Sequence, residues 1–300
     1  MNRLTHIIKD KYIIRHTKKQ KAEFRNFIVE ELKKDGFDVR IQSGKVTGIP
    51  VHNIIIGNTG SAKYLITAHY DTPNTCLIPL FMFADSFILS LLSQMAVFIP
   101  IVLLSFLAGI IHPVLVMPVL YAGMILGILT FTNKNNFNDN TSGVLGVLET
   151  LYSMSDAERK DCAFILFDNE EKGLLGSSYF YKNTVNKTSL IFNIDCIGDG
   201  DEIRLFTKGG GISAGEEMAG SFGGENILSA KAVKRSVRNV LYMSDDNNFP
   251  NAICFAAFRT SPFGKYISRI HTNLDTVLKD ENILAVSQMI RNYVFTHKQG

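Results

Sequence analysis

Hydrophobic and polar positions follow helical and strand periods in turn along most of this chain. Between residues 18 and 34 the apolar positions recur at helical spacing, and Gly36 follows as a left-handed stop. The predicted strands cover residues 37–42, 53–57, 64–68, 163–167, 190–194, 203–206 and 252–257. The predicted helices cover residues 18–34, 142–154, a segment from Gly173, and 281–295. This alternation predicts an α/β fold with a mostly parallel central sheet covered by helices on both faces.

A long apolar stretch interrupts this pattern between residues 77 and 132. Its only acidic, basic or histidine side chains are Asp85 and His112. Residues 87–111 are long enough to cross about 30 Å of hydrocarbon, and residues 114–131 are just sufficient. The pattern therefore predicts a discontinuous domain of residues 1–76 and 132–300 and an insertion, 77–131, that forms a two-helix transmembrane hairpin. An apolar lid over a functional site, or a dimer interface, is the alternative for the insertion.

A helical hairpin returns the chain to the side of the membrane that it left. The first 21 residues are charged throughout and lack the continuous apolar core of a secretory signal. We therefore expect a membrane protein whose larger domain lies on the cytoplasmic side.

The composition argues against nucleic acid as a partner. The chain has 300 residues, is 46% hydrophobic and carries a formal net charge of only +3. Its basic runs, residues 18–21 and 231–238, have few aromatic neighbours for base stacking and are interpreted as solvated helix faces. The four cysteines are widely spaced, which favours reduced thiols.

Five short polar segments, called polar phrases below, each contain a residue of a type that binds zinc. These residues are His69, Asp139, Glu171, Asp195 and His271. His69, residues 168–171 and Asp195 fall at the carboxyl ends of predicted strands, where open α/β sheets place their ligand crevices. Two imidazoles and three carboxylates suffice for two zinc ions when one carboxylate bridges them. The sequence therefore predicts a metal site at one edge of the sheet.

These phrases resemble those of the zinc-dependent di-metal aminopeptidase and exopeptidase family, which includes bacterial leucyl aminopeptidases, glutamate carboxypeptidase and the glutaminyl cyclases. The resemblance extends from about residue 18 to residue 295, the insertion excepted. It implies the zinc exopeptidase fold and two Zn²⁺, although other divalent ions are possible. It further implies that His69 and Asp195 bind one ion, that Glu171 and His271 bind the other, and that Asp139 bridges them.

The resemblance also suggests roles for carboxylates around the ligands. Glu170 matches the family's general base, and Asp71 is expected to accept the second ring N–H of His69. Asp275 is expected to support the site near His271. The family often has Ser-Asp-His in a segment that lines the substrate pocket; here Asp245 is followed by Asp246, so the pocket's hydrogen bonding differs.

The implied function is a metallo-aminopeptidase that hydrolyses the first peptide bond of a peptide with a free amino terminus, beside a lipid bilayer. One alternative is a glutaminyl cyclase-like acyltransferase on the same fold. A second is a serine hydrolase using Ser213 of Gly-Ile-Ser-Ala-Gly with His271 and Asp275. A third is a non-catalytic, membrane-anchored binding module.

Overall fold

A mixed central sheet organises the protein, which a computed structural model describes over residues 1–76, 81–96, 98–128, 131–222, 228–235 and 243–299. The start of the predicted insertion (77–80), the end of its second predicted span (129–130) and residues 236–238 of the second basic run lie outside the described residues. The strands are β1 (Val39–Val46), β2 (Ile49–Ile56), β3 (Tyr64–His69), β4 (Asn74–Thr75), β5 (Met82–Phe83), β6 (Phe131–Thr132), β7 (Cys162–Phe167), β8 (Leu190–Ile194), β9 (Glu202–Lys208), β10 (Ser229–Lys234), β11 (Ala252–Ser261) and β12 (Gly264–Ile267).

The centre of the sheet is parallel and its flanks are largely antiparallel. The strands run in the order β1-β2-β7-β3-β8-β11, and the pairs β7–β3, β3–β8 and β8–β11 are parallel. Beyond them, β11 pairs antiparallel with β9 along its first part and with β12 at its end. β10 lies parallel to β9, and β5 lies antiparallel to β12. The predicted parallel character therefore holds for the four strands that carry the polar phrases or lie beside them.

Helices cover both faces of the sheet, as the sequence predicts. They are α1 (Leu4–Lys11), α2 (Lys18–Lys34), α3 (Phe87–Ala96), α4 (Ile99–Ile111), α5 (Val116–Ile128), α6 (Gly143–Ser153), α7 (Asp156–Arg159), α8 (Leu175–Asn183), α9 (Gly211–Ser221) and α10 (Asp280–Thr296). Apolar side chains of α1, α2, α6, α9 and α10 join one core cluster with one face of the strands, and Phe180 of α8 packs in a second cluster on the other face. The mixed α/β fold that the pattern predicts is confirmed.

Several elements are absent from the sequence prediction or differ from it, among them α1 and β10. Helix α1 is absent from it, because its eight residues are too few to show a clear period. Residues 231–234 of the second basic run, interpreted as a solvated helix face, belong to strand β10, since pairing with β9 outweighs the weak β-propensity of its lysines. Gly36 ends the first turn after α2 with φ +85°, the left-handed conformation predicted for it.

The insertion forms helices that differ from the predicted hairpin. Within the described residues no single helix is long and apolar enough to cross a membrane, although α3 and α4 reach that length and composition as a pair bent by 41°. Pro100 stands in the first turn of α4, where its missing N–H is tolerated, so residues 87–111 form two helices instead of one. The domain boundaries near residues 76 and 132 stay a prediction.

Candidate metal centre

The predicted ligands lie together above one edge of the central sheet. His69 ends β3, Asp195 directly follows β8, and residues 168–171 follow β7. These three strands are parallel neighbours, so their carboxyl ends meet. Asp139 comes from the segment that leads into α6, and His271 comes from the loop after β12.

The carboxylate of Asp139 lies between the two imidazoles. Its Oδ1 is 3.4 Å from Nε2 of His69, and its Oδ2 is 3.1 Å from Nε2 of His271. On the outer sides, Asp195 Oδ1 is 3.5 Å from His69 Nε2, and Glu171 Oε2 is 3.6 Å from His271 Nε2. The cluster therefore has two halves that share Asp139, in the pairing implied by the family resemblance.

The donor set fits zinc. His69, Asp139 and Glu171 form one group of possible ligands, and His69, Glu170 and Asp195 form a second. Within each group, one nitrogen or oxygen atom from each residue lies within 4.8 Å of the others. Oε1 of Glu171 is buried without a hydrogen-bond partner among the described residues. A buried carboxylate oxygen in that state costs free energy unless a cation or proton satisfies it. Imidazole nitrogen and carboxylate oxygen are both ordinary zinc donors.

Asp71 contacts the His69 ring through both its main chain and its side chain. The ring Nδ1 of His69 is 3.1 Å from the main-chain carbonyl of Asp71 and 3.6 Å from its carboxylate. That carboxylate also accepts the backbone N–H groups of Glu170, at 3.0 Å, and of Glu171, at 3.2 Å. One residue thus helps to orient the imidazole and both glutamates.

Asp275 supports the bridging residue more directly than it supports His271. Its two oxygens accept the backbone N–H groups of Asn138, at 2.8 Å, and Asp139, at 3.0 Å. Gly143 begins α6 close to β8, and a Cβ there would lie 2.3 Å from the carbonyl oxygen of Ile194. A side chain at this position would therefore clash with the end of β8.

A tight turn after β7 presents adjacent glutamates to the same cleft. Asn169 has φ +57° and Gly173 φ +98°, and the carbonyl of Glu170 accepts N–H groups from Gly173 and Leu174. In an extended segment the side chains of Glu170 and Glu171 would point to opposite faces, so this turn lets both reach the centre.

Carboxylates outweigh burial in setting the protonation of the imidazoles. Burial lowers the pKa of His69, but Glu170, Asp139 and Asp195 raise it more, so this pKa lies well above its ordinary value. The pKa of His271 is likewise held high against burial, chiefly by Glu171 and Asp139. Burial raises the pKa of Glu171 to about 8 and that of Glu170 well above its usual range. The centre therefore favours any positive charge, proton or metal ion, that enters it.

A cavity of about 250 Å³ opens onto the centre. Besides the titratable groups just described, its lining includes Met82, Gln94, Cys196, Met243 and Ile270. Met82 and Gln94 belong to the insertion. The cleft thus joins metal-binding groups to mainly apolar side chains.

The sequence of this chain matches the family model described as Peptidase family M28 over residues 126–294, more than half its length. The chain belongs to peptidase family M28. The matched range contains Asp139, Glu171, Asp195 and His271. No curated protein matches the sequence. As a member of a peptidase family, the chain is assigned to the hydrolases.

Solved structures show the M28 fold over nearly the whole chain. A zinc-dependent exopeptidase from Parabacteroides distasonis aligns with TM-score 0.62 at 17% identity, covering 98% of this chain and 96% of that one. A glutaminyl cyclase from Porphyromonas gingivalis gives TM-score 0.60 at 17% identity, with 98% and 95% covered. The LapA aminopeptidase of Legionella pneumophila gives TM-score 0.59 at 15% identity, with 97% and 67% covered. These likenesses show that zinc exopeptidases, aminopeptidases and glutaminyl cyclases share the fold of this M28 chain.

Asp246 stands where the family often has histidine, directly after Asp245. Both side chains are fully buried in a short 3₁₀ turn, and neither is among the residues that line the cleft described above. Burial raises the pKa of Asp245 to about 7 and that of Asp246 to about 6. Asp246 lies 3.2 Å from Arg235, so the residue that replaces histidine is paired with a cation inside the protein.

Two buried cations near the M28 centre were missed from the sequence. Nζ of Lys21 lies 2.6 Å from both Asp168 and Asn169, although its basic run was interpreted as solvated. Arg15 donates to the main-chain carbonyl of Tyr70 and, at 3.1 Å, to Oγ1 of Thr141, and burial lowers its pKa to about 10. Lys21 stands three residues before Phe24 and therefore lies on the apolar face of α2. This position is the feature of the sequence that indicates its burial.

The serine hydrolase alternative finds no support in this geometry. Ser213 is an exposed residue within helix α9, not on a sharp turn directly after a strand. Nε2 of His271, its proposed partner, faces Asp139 and Glu171 instead.

Proposed function

We propose that this M28 chain is a metallo-aminopeptidase that hydrolyses the first peptide bond of a peptide with a free amino terminus, using two divalent ions, most simply Zn²⁺. The observation that carries the proposal is the placement of Asp139, which directs one oxygen to each imidazole. His69, Asp139 and Asp195 would hold one ion, and Asp139, Glu171 and His271 the other. When bound, such a pair polarises a scissile carbonyl and lowers the pKa of a water molecule.

Glu170 is proposed as the general base. Its backbone N–H is fixed by Asp71, and its side chain lines the cleft beside the ligands. Burial raises its pKa well above the usual range, with Glu171, Asp245 and Asp195 adding to the shift. A carboxylate with a raised pKa can accept a proton from water and later deliver it to the leaving amine at near-neutral pH.

The size of the cleft favours a chain end as substrate. Its volume of about 250 Å³ is below the roughly 300–1,000 Å³ of ordinary ligand pockets, which suits one residue and a peptide bond better than a long extended segment.

A glutaminyl cyclase-like acyltransferase is the second candidate, because the Porphyromonas gingivalis glutaminyl cyclase aligns as closely as the exopeptidase. The presence of both imidazoles and all three ligand carboxylates in one cluster favours the two-ion peptidase. A peptide with amino-terminal glutamine separates the two: hydrolysis releases free glutamine, whereas cyclisation releases ammonia and keeps the chain intact.

The test of the peptidase assignment combines metal analysis with the substitution Glu170→Gln. Chelation should abolish release of the first residue from a peptide panel, and two equivalents of zinc should restore it. In the Glu170→Gln variant zinc content should stay near that of the natural protein while kcat falls about 10²–10⁴-fold. Glu30→Gln, on the exposed face of α2, is the matched control. Near-normal turnover by the Glu170→Gln variant would remove Glu170 from the mechanism.

We also propose that the insertion attaches the protein to a lipid bilayer, with the larger domain on the cytoplasmic side. The support is the exposure of large apolar side chains on α4 and just beyond it, including Phe106 at 67%, Ile111 at 81% and Val114 at 71%. Exposed apolar surface of this extent calls for a partner surface.

Vesicle flotation of the full chain tests this attachment. Phe106→Glu together with Ile111→Glu should leave the protein in the non-floating fraction, whereas Phe263→Glu, on an exposed loop of the larger domain, should not change flotation. Protease protection in intact cells would test the sidedness. Failure of the natural protein to float with vesicles would refute the attachment.

A further inference from the structure

The apolar part of the cleft lining comes partly from the insertion. Met82 and Gln94 line the same cleft as the metal-binding groups, together with Met243 and Ile270. Met82 also packs against the buried cluster that contains Cys196 and Ile270. The insertion thus contributes directly to the surface that a bound substrate would meet.

Strand β5 fixes Met82 in the main fold. Met82 is paired with Ile267 and Phe83 with Tyr266, in an antiparallel ladder with β12. The N–H of Ala84, which is fully buried, donates to the carbonyl of Lys265 at 2.9 Å. Since β12 leads into the loop that carries His271, this strand supports both Met82 in the cleft lining and one proposed metal ligand.

An ion pair locks the same segment to the central sheet. Both guanidinium Nη atoms of Arg204 in β9 bind the Asp85 carboxylate, at 3.1 and 3.0 Å. The side chain of Arg204 is only 3% exposed and also pairs with Glu202, so Asp85 is one of two carboxylates that compensate this buried charge. A bidentate pair also fixes direction as well as distance.

Helix α3 holds Gln94 over the cleft through two serines. Oγ of Ser90 accepts the N–H of Phe83 at 2.8 Å, and Oγ of Ser93 accepts the N–H of Phe81 at 3.0 Å. Ser90 and Gln94 are four residues apart and therefore lie on the same face of α3. That face is turned towards β5 and the metal centre.

We propose that Met82 and Gln94 are specificity residues of the metal site, Met82 contacting an apolar, flexible side chain such as that of leucine or methionine on the first substrate residue, and Gln94 hydrogen-bonding its main chain. This rests on the proposed aminopeptidase function. Met82, Met243 and Ile270 present thioether and aliphatic groups, which adapt to such side chains and leave a charged one unpaired. The amide of Gln94 supplies a donor and an acceptor for the main chain.

Binding of amino-acid hydroxamates to the zinc-loaded full chain, measured by calorimetry, tests the two roles separately. The hydroxamate group chelates zinc, and the side chain varies across alanine, leucine, methionine and glutamate. The natural protein should bind the leucine and methionine compounds at least tenfold more tightly than the alanine and glutamate compounds. Met82→Phe fills the apolar part of the cleft and should abolish that preference. The dissociation constant of alanine hydroxamate should change by no more than about threefold.

Gln94→Leu should weaken the binding of all four compounds by a similar factor, roughly 2–10-fold, because a hydrogen bond to the main chain of the ligand does not depend on the ligand's side chain. Met95→Phe and Gln288→Leu, at exposed positions on α3 and α10, are the matched controls and should change nothing. Asp85→Asn should reduce the preference for leucine hydroxamate without loss of zinc, because it weakens the pair with Arg204 that holds the segment of Met82 against the sheet.

The specificity role would be overturned if Met82→Phe left the ranking of the four hydroxamate affinities unchanged, or if Met95→Phe changed that ranking equally. A natural protein that binds two zinc ions and shows no preference among the hydroxamates would overturn it too. If the ranking appears as stated but no peptide is hydrolysed, the subsite stands and the aminopeptidase proposal fails.

Discussion

At the scale of single residues, Asp71 shows how a side chain that binds no metal can set the geometry of a metal centre. Its carboxylate accepts the N–H groups of Glu170 and Glu171, and its main-chain carbonyl lies within hydrogen-bond distance of the His69 ring. The positions of Glu170, the proposed general base, and of His69 and Glu171, proposed ligands of the two halves, therefore depend on one buried aspartate.

Asp71→Asn should reduce kcat more than it changes KM. The amide offers one acceptor oxygen where the carboxylate offers two, so one of the two glutamate N–H groups loses its partner, at a cost of about 1–3 kcal/mol. Steady-state kinetics and denaturant unfolding measure the two effects, and Asp38→Asn, an exposed position, is the control. Natural kcat in the Asp71→Asn variant would show that the Asp71 carboxylate does not position the glutamates.

At the scale of elements, helix α2 and the turn after β7 are joined by Lys21. The ammonium of Lys21 lies 2.6 Å from Asp168, at the start of the turn that presents Glu170 and Glu171. The same lysine contacts Asn169, the residue of that turn with φ +57°. A left-handed non-glycine residue costs on the order of 1 kcal/mol or more, and contacts of this kind hold it in place.

Lys21→Met should destabilise the protein by about 3–5 kcal/mol, because it leaves the buried carboxylate of Asp168 without its cation. It should also weaken zinc retention, since the turn carries Glu171. Chemical denaturation and metal analysis after dialysis measure both. Lys19→Met, whose side chain is 87% exposed, should behave like the natural protein. Equal stability of the two variants would contradict the role of the buried pair.

Elements differ in how far the sequence specifies them. Helix α2 and strand β8 were predicted to the residue, because their apolar periods are long or uninterrupted. Strand β10 was not, since it depends on pairing with β9, whereas the bend of 41° between α3 and α4 lies beside Pro100, a residue that kinks helices. Apolar content alone does not specify either.

At the scale of the whole molecule, the centre concentrates negative charge in a chain whose formal net charge is +3. The pKa values of both imidazoles are raised, because the surrounding carboxylates outweigh burial. The raised pKa values favour the protonated rings when no metal is bound, and an entering ion must displace those protons. Metal binding and proton release are linked throughout the site.

The apparent zinc affinity should rise steeply between about pH 6 and pH 8. A ligand whose pKa is raised is protonated below that pKa, so lowering the pH strengthens competition by protons and weakens metal binding. Calorimetry in buffers of different ionisation enthalpy should show proton release on binding. Zinc should also raise the midpoint of thermal unfolding, less at about pH 6 than at about pH 8. A pH-independent affinity would contradict the raised imidazole pKa values.

The sequence by itself determined the α/β fold, the position of the polar phrases at strand ends and the residue types suited to zinc, because periodicity and local phrases are properties of short segments. Only the tertiary structure decided that Asp139 lies between the two imidazoles, that Asp71 binds backbone N–H groups, and that Asp246 is paired with Arg235. It also decided that Met82 and Gln94 of the insertion line the cleft. These contacts join residues far apart in the chain, so their partners are set by packing and not by any local pattern.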